Sequence, residues 1–175
     1  RIIRVNPADG TKAVMLSLSS EVAHSTSSGS ANAQDGLLGM AIHPDLYGDL
    51  NASNNYVFVA YTYDDGGRKA KIVRLLYDPL GSPNQLTFDT TLNGDGTVID
   101  DLPASNDHNS GRLKIGPDLK LYYTIGDQGS NQFGNRCNPI LSQVLPSQAE
   151  VDTKDYSNYP GKLLRLDLEG GIPID

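Results

Sequence analysis

The chain has 175 residues, with 18 Gly, 10 Pro and nine Tyr, and only 20 % of its residues are charged. That length supports one domain with a real core, and the scarcity of long Ala/Leu/Glu/Lys runs at helical spacing points to short strands and tight turns. A net charge of −7 argues against nucleic acid and anionic membrane surfaces, and no apolar run is long enough for a transmembrane helix.

In chain order, Arg1-Ile2-Ile3-Arg4-Val5 reads as a strand and runs into the turn Pro7-Ala8-Asp9-Gly10. A chain that opens inside a strand is expected to be a piece of something larger. A polar, Ser-rich insert follows from Ser19 to Gln34. Ile42-His43-Pro44-Asp45-Leu46 then leads into the aromatic strand Tyr56-Val57-Phe58-Val59-Ala60-Tyr61. Lys71-Ile72-Val73-Arg74-Leu75 is a further strand, closed by Asp78-Pro79-Leu80-Gly81. After the turn chemistry of Asn93-Gly94-Asp95-Gly96-Thr97, the order begins again. Ile115-Gly116-Pro117-Asp118-Leu119 leads into Leu121-Tyr122-Tyr123-Thr124-Ile125, an insert runs from Phe133 to Tyr159, and Lys162-Leu163-Leu164-Arg165-Leu166 ends at Glu169-Gly170-Gly171.

The basic-apolar-apolar-Arg-apolar strand therefore occurs three times, and the Pro-Asp turn before an aromatic strand twice. This order, at a spacing of roughly 70 to 90 residues, is that of β-propeller blades lengthened by inserts on one rim. A β-sandwich would alternate in the same way. The expectation is an all-β fold comprising part of one propeller domain over 1–175: strands of a first blade in 1–18, a second blade in 36–103 and most of a third in 107–175.

The three histidines differ in setting. His24 lies in the Ser/Thr-rich loop and reads as solvated. His43 has Gly116 as its repeat partner, so a role fixed by blade chemistry would not survive the exchange, and packing is the simpler reading. His108 stands in Asn106-Asp107-His108-Asn109-Ser110-Gly111-Arg112, just before a strand. Nineteen residues on, Gly126-Asp127-Gln128-Gly129 closes the aromatic strand. If Leu113–Ile115 and Leu121–Ile125 pair as a hairpin, His108 and Asp127 meet on one rim. A carboxylate beside an imidazole sets its tautomer and stabilises the imidazolium, which makes a general base near neutral pH. Asp-His pairs also cap loops without catalysis. A serine hydrolase is disfavoured because no Gly-x-Ser-x-Gly elbow is present. Zinc lacks ligands at suitable spacing, and Asn93-x-Asp95-x-Thr97 lacks the closing Glu of a calcium loop, so no metal ligand is assigned. Cys137 has no partner for an internal disulfide.

Several segments resemble those of soluble quinoprotein glucose dehydrogenases and the wider glucose/sorbosone dehydrogenase group. They are Gln34-Asp35-Gly36-Leu37-Leu38-Gly39-Met40-Ala41-Ile42-His43-Pro44-Asp45, Asp107-His108-Asn109-Ser110-Gly111-Arg112-Leu113, Ile115-Gly116-Pro117-Asp118, Tyr122-Tyr123-Thr124-Ile125-Gly126-Asp127-Gln128-Gly129 and Gly161-Lys162-Leu163-Leu164-Arg165-Leu166. The resemblance implies a six-bladed β-propeller of which this chain holds about two blades and a leading strand. It also implies pyrroloquinoline quinone (PQQ) and calcium as cofactors, and oxidation of the C1 hydroxyl of an aldose to a lactone. By the same resemblance His108 is the base that takes the hydroxyl proton as hydride passes to the quinone, and Asp127 orients it. Gln34 and Asp107 belong to the substrate and cofactor cluster. Gln132 and Phe133 fall where the sugar pocket is lined, and since the family commonly carries an aliphatic residue at the Phe133 position, the sugar preference stays open.

The residues that clamp the cofactor and calcium come, in the family, from segments beyond Asp175, so the chain alone is expected to be inactive. The implied setting is periplasmic or secreted, with an aldose and an external electron acceptor as partners. The inserts Ser19–Ala33 and Leu92–Asp101 are longer than the family pattern and are expected on loops. A propeller that binds carbohydrate or protein without turnover is the competing reading.

Overall fold

The structure is a computed structural model that describes residues 1–25, 33–47, 54–81, 84–132 and 135–173. The described residues form an all-β fold with three antiparallel sheets. The first is a hairpin of β1 (Ile2–Val5) and β2 (Lys12–Leu16), turned through Asn6–Thr11 where the Asp9 carboxylate accepts from the Thr11 amide and hydroxyl. The second contains β3 (Leu37–Ile42), β4 (Tyr56–Asp64), β5 (Arg68–Tyr77), β6 (Leu86–Phe88) and β7 (Thr97–Pro103). The third contains β8 (Ser110–Ile115), β9 (Leu121–Ile125) and β10 (Leu163–Leu166).

The strand β4 shows why the sheets stack. Its run Val57 to Thr62 is buried on both faces, as an unbroken apolar strand requires. Phe58 and Ala60 point into a core shared with Leu113, Leu121, Tyr123, Ile125 and Leu164 of the third sheet. Val57, Val59 and Tyr61 point the other way, onto Ile2, Met15 and Leu16 of the first. The second sheet is therefore covered on both sides by its neighbours.

The outer edge of β5 is shared by two strands. β6 pairs with Leu75–Tyr77 and β7 with Lys69–Val73, both antiparallel. They are one strand interrupted by the loop Asp89–Gly96, opposite Arg74. The sequence pattern expected Leu92–Asp101 to be loop throughout; Thr97–Asp101 belongs to β7, because Val98, Ile99 and Leu102 bury their side chains in the core.

Both backbone groups of Arg74 are taken by the ends of that loop, its N–H by Gly96 O at 2.7 Å and its C=O by the Asp89 N–H at 3.1 Å. Its side chain donates to Asp89 at 2.8 Å and to Glu169 at 3.2 Å, and the guanidinium lies 4.3 Å from the Tyr56 ring centroid. Burial pushes the Asp89 carboxyl up. The hydroxyl and amide of Thr91 and the charge of Arg74 outweigh that and hold it below the usual carboxylate range.

The loop between β9 and β10 contains a helix, α1 (Gln148–Thr153), that the sequence reading left inside an insert. Ser147 and Glu150 form a reciprocal capping box, and a short polar helix of this kind has no apolar stripe to reveal it.

The second and third sheets come into close backbone contact at two glycines. A Cβ at Gly39 on β3 would lie 2.0 Å from Gly111 O on β8, and one at Gly111 would lie 2.5 Å from Leu38 Cβ. Gly39→Ala is expected to force the sheets apart and lower stability by about 1–3 kcal/mol, read from urea unfolding of the full-length protein.

Asp89→Asn removes the buried charge facing Arg74 and is expected to cost about 3 kcal/mol at neutral pH. Because the folded-state pKa of Asp89 is depressed, its contribution is complete above the unfolded pKa and is lost as pH falls through the lower folded value. The gap between wild type and Asp89→Asn should therefore be constant above about pH 5 and shrink below about pH 4, in unfolding measured across that range.

Candidate active site

Strand β8 begins and β9 ends on the same rim, because the two are antiparallel neighbours with Ser110 opposite Ile125. The ladder continues past the strands. The Gly126 N–H donates to Asn109 O at 2.9 Å and the Gln128 N–H to His108 O at 3.3 Å. Gly126 has no alternative here, since a Cβ would fall 1.6 Å from His108 O. His108, Ser110 and Gln128 all hold positive φ, at 47°, 62° and 62°. Each such residue costs of order 1–3 kcal/mol, and a cluster of them persists only where the surroundings over-determine it.

These loops bring His108 and Asp127 together. His108 Nδ1 lies 3.0 Å from Asp127 Oδ1, and the same oxygen accepts from the Gly129 N–H at 3.0 Å. The carbonyl of Asp127 is held by the amide and hydroxyl of Ser130. With Asp127 ionised, Nδ1–H donates to it and the lone pair of Nε2 is left available. The His108 side chain is 34 % exposed, so Nε2 can meet a solute. Asp107 flanks the ring on its other side. Its Oδ1 accepts from the His108 N–H at 3.0 Å and lies 3.7 Å from Nε2.

Gln34 is tied to the same loop by its main chain, which donates to Asn106 O and accepts from the Asn109 side chain, both at 2.9 Å. The adjoining Asp35 anchors this segment to the sheet through the amide and hydroxyl of Ser25 and through Arg68. Burial pushes the Asp35 carboxyl up, and Ser25 and Arg68 outweigh it, leaving the group below its ordinary range. Gln132 is exposed on the turn after Gly129, and among the described residues no hydrogen bond joins it to His108. Phe133 lies outside the described residues, as do residues 26–32 of the polar insert.

Asn109 is the residue that sequence reasoning passed over. It is 2 % exposed, its Oδ1 accepts from the Ser105 N–H at 2.9 Å, and its Nδ2 donates to Ser105 O at 2.8 Å and to Gln34 O. One side-chain amide thus joins two loops immediately beside His108. The only signal in the sequence was its place between His108 and a strand.

His43 is buried edge-on against Tyr56, and His24 is exposed. Asp95 turns both carboxylate oxygens onto Thr97, and Asn93 donates to Thr97 O, so this loop satisfies itself as a turn. Among the described residues no group of three His, Cys, Asp or Glu is arranged to hold a metal ion.

Residues 6–175 match the family model for glucose/sorbosone dehydrogenase. The chain belongs to that family. It is 38 % identical over 183 residues to quinoprotein glucose dehydrogenase B of Acinetobacter calcoaceticus, an alignment covering 100 % of this chain and 34 % of that protein. The chain thus spans about a third of the length of the curated relative it matches. Among solved structures, a putative oxidoreductase (glucose dehydrogenase) from Thermus thermophilus superposes with a TM-score of 0.61 at 29 % identity, over 93 % of this chain and 37 % of that one. The soluble aldose sugar dehydrogenase of Escherichia coli, in its apo form, gives 0.57 at 21 % identity over 99 % and 40 %, a likeness of fold.

Within this glucose/sorbosone dehydrogenase chain, the rim holds an imidazole oriented by a carboxylate. A carboxylate-oriented imidazole with an accessible Nε2 suits a neutral hydroxyl that must lose a proton. The side chains meeting His108 are both acidic, which does not suit the grip on PQQ, a tricarboxylate, and no described cluster suits calcium.

Asn109→Ala leaves Gln34 O and both backbone groups of Ser105 without their partners. A loss of about 2–3 kcal/mol is expected in denaturant unfolding of the full-length protein.

Proposed function

We propose that this chain supplies the proton-accepting part of a sugar dehydrogenase whose whole protein oxidises the C1 hydroxyl of an aldose to a lactone. The 3.0 Å contact of His108 with Asp127 carries this reading, together with membership of the family. The rest of the protein would complete a six-bladed β-propeller, to which this chain contributes strands of a first blade in 1–18, a second blade in 36–103 and most of a third in 107–175. The stacking of three antiparallel sheets supports it.

His108 Nε2 accepts the C1 hydroxyl proton. As that O–H bond breaks, the oxygen lone pair forms the carbonyl and the C1 hydrogen leaves as hydride. Hydride departs readily only with the proton removed, so a base within hydrogen-bond reach is the protein's main contribution. Asp127 holds the imidazole in the Nδ1–H tautomer and stabilises the imidazolium that forms, and Gly129 N–H keeps the carboxylate aligned. Gln34 and Asp107 border the reacting hydroxyl, and Gln132 and Phe133 contribute to the sugar pocket. PQQ, with calcium, would be held by residues outside this chain and would supply a two-electron acceptor for the hydride, and an external electron acceptor in the periplasm or outside the cell would be its partner.

In the full-length protein reconstituted with PQQ and calcium, aldose-dependent dye reduction should fall about 10²- to 10⁴-fold in His108→Ala, with Asp127→Asn intermediate. Wild-type turnover in His108→Ala would remove His108 from the mechanism. Sugar binding without any dye reduction by the wild type would identify a non-catalytic binding module instead.

A further inference from the structure

Asp127 is followed by Gln128, whose backbone is left-handed at φ 62°, a conformation that glycine and asparagine adopt far more readily. That conformation has a direct consequence for the site. The peptide joining Gln128 to Gly129 is planar, so its C=O and N–H point in opposite directions. The C=O accepts from the Asn135 side chain at 2.9 Å, and the N–H donates to Asp127 Oδ1 at 3.0 Å. The same oxygen lies 3.0 Å from His108 Nδ1. The backbone angles of Gln128 therefore aim the N–H that aligns the carboxylate holding the imidazole.

The side chain of Gln128 holds those angles in place. Its Nε2 donates to Pro103 O, at the end of β7, at 3.3 Å and to Gly126 O, just after β9, at 3.2 Å. One amide thus joins the second and third sheets on the Asp127 side of the rim, as the Asn109 amide does on the His108 side. Two carbonyls at Nε2 also fix which way the amide faces, since the flipped group would set Oε1 against both of them. In this orientation Oε1 is buried and finds no donor among the described residues. An unpaired buried acceptor and a left-handed glutamine both cost free energy, and a glycine would close the same turn without either. Two such costs at one residue beside a candidate site mark a residue kept for the position it imposes.

We propose that Gln128 is a positioning residue for the His108–Asp127 pair. It holds the Asp127 carboxylate in the direction that keeps His108 as its Nδ1–H tautomer, with the Nε2 lone pair free to meet a solute. Its effect on turnover rests on the reading of His108 as the base of a sugar dehydrogenase, and its effect on the ring does not.

Gln128→Met keeps the length of the side chain and removes both donated hydrogen bonds. In the full-length protein, long-range proton–nitrogen NMR correlations of the His108 ring, assigned by their loss in His108→Ala, read the tautomer at about pH 8.5, above the range in which imidazoles ordinarily titrate. The Nδ1–H form is expected to dominate in the wild type and to give way to the Nε2–H form in Gln128→Met. With PQQ, calcium and an aldose, kcat should fall about tenfold while KM stays within about twofold, the pattern of an interaction made only in the transition state. If Gln128→Met fails to fold, Gln128→Asn carries the test, because asparagine suits the left-handed backbone and is too short to reach Pro103. The wild-type tautomer in a folded variant overturns the proposal, whatever happens to turnover. Absence of aldose turnover in the wild type would count against the proposed function, and the tautomer would still decide the role of Gln128.

Discussion

Gly39 on β3 and Gly111 on β8 leave no space for a side chain between them, and the backbone contact they allow fixes how near the second and third sheets lie. The candidate site follows from that spacing. Gln34 precedes β3 by three residues and His108 precedes β8 by two, so strands that meet at their glycines deliver both loops to one rim. The Asn109 amide then spans the gap, donating to Gln34 O from beside His108. A wider separation would leave this buried amide and the carbonyl it satisfies unpaired, at a cost of about 1–3 kcal/mol for each such group.

At the opposite edge of the second sheet, Arg74 does comparable work through its side chain. It ties the broken outer strand to β5, rests on Tyr56 of β4, and reaches Glu169 in the turn after β10. Buried ions are expensive, and Arg74 is tolerable because Asp89 meets it while Thr91 and Glu169 complete the network. The corresponding Arg165 has a more exposed setting, with Asp118 and Tyr122 on its own sheet. The repeated sequence motif therefore repeats the strand and not the partners of its arginine.

Near His108 the chain stores conformational strain and spends hydrogen bonds to keep it. Four non-glycine residues with positive φ, His108, Ser110, Gln128 and Asn131, stand in or beside two adjoining loops, held by Ser105, Asn109, Gly129 and Ser130. Such an arrangement leaves the imidazole little freedom to turn away from Asp127, which is what a base that must act in one direction needs.

Much of this was legible in the residues themselves. Strand alternation, the Pro-Asp turns and the aromatic runs determine the antiparallel sheets, because period two and turn chemistry are local properties. The pairing of His108 with Asp127 was also readable, since a tight hairpin brings its two ends together whatever surrounds it. The short helix α1 carried its Ser147–Glu150 capping signal in plain view but no apolar stripe to make it prominent. Other features had no local sign. Asn109 is buried and bridges to Gln34, and Thr97–Asp101 completes the edge of β5. Both depend on which strands become neighbours. The sequence alone determined the strands and the residue pair within one hairpin; only the tertiary structure decided the contacts between sheets, because those are set by packing across long stretches of chain and not by the order of residues along it.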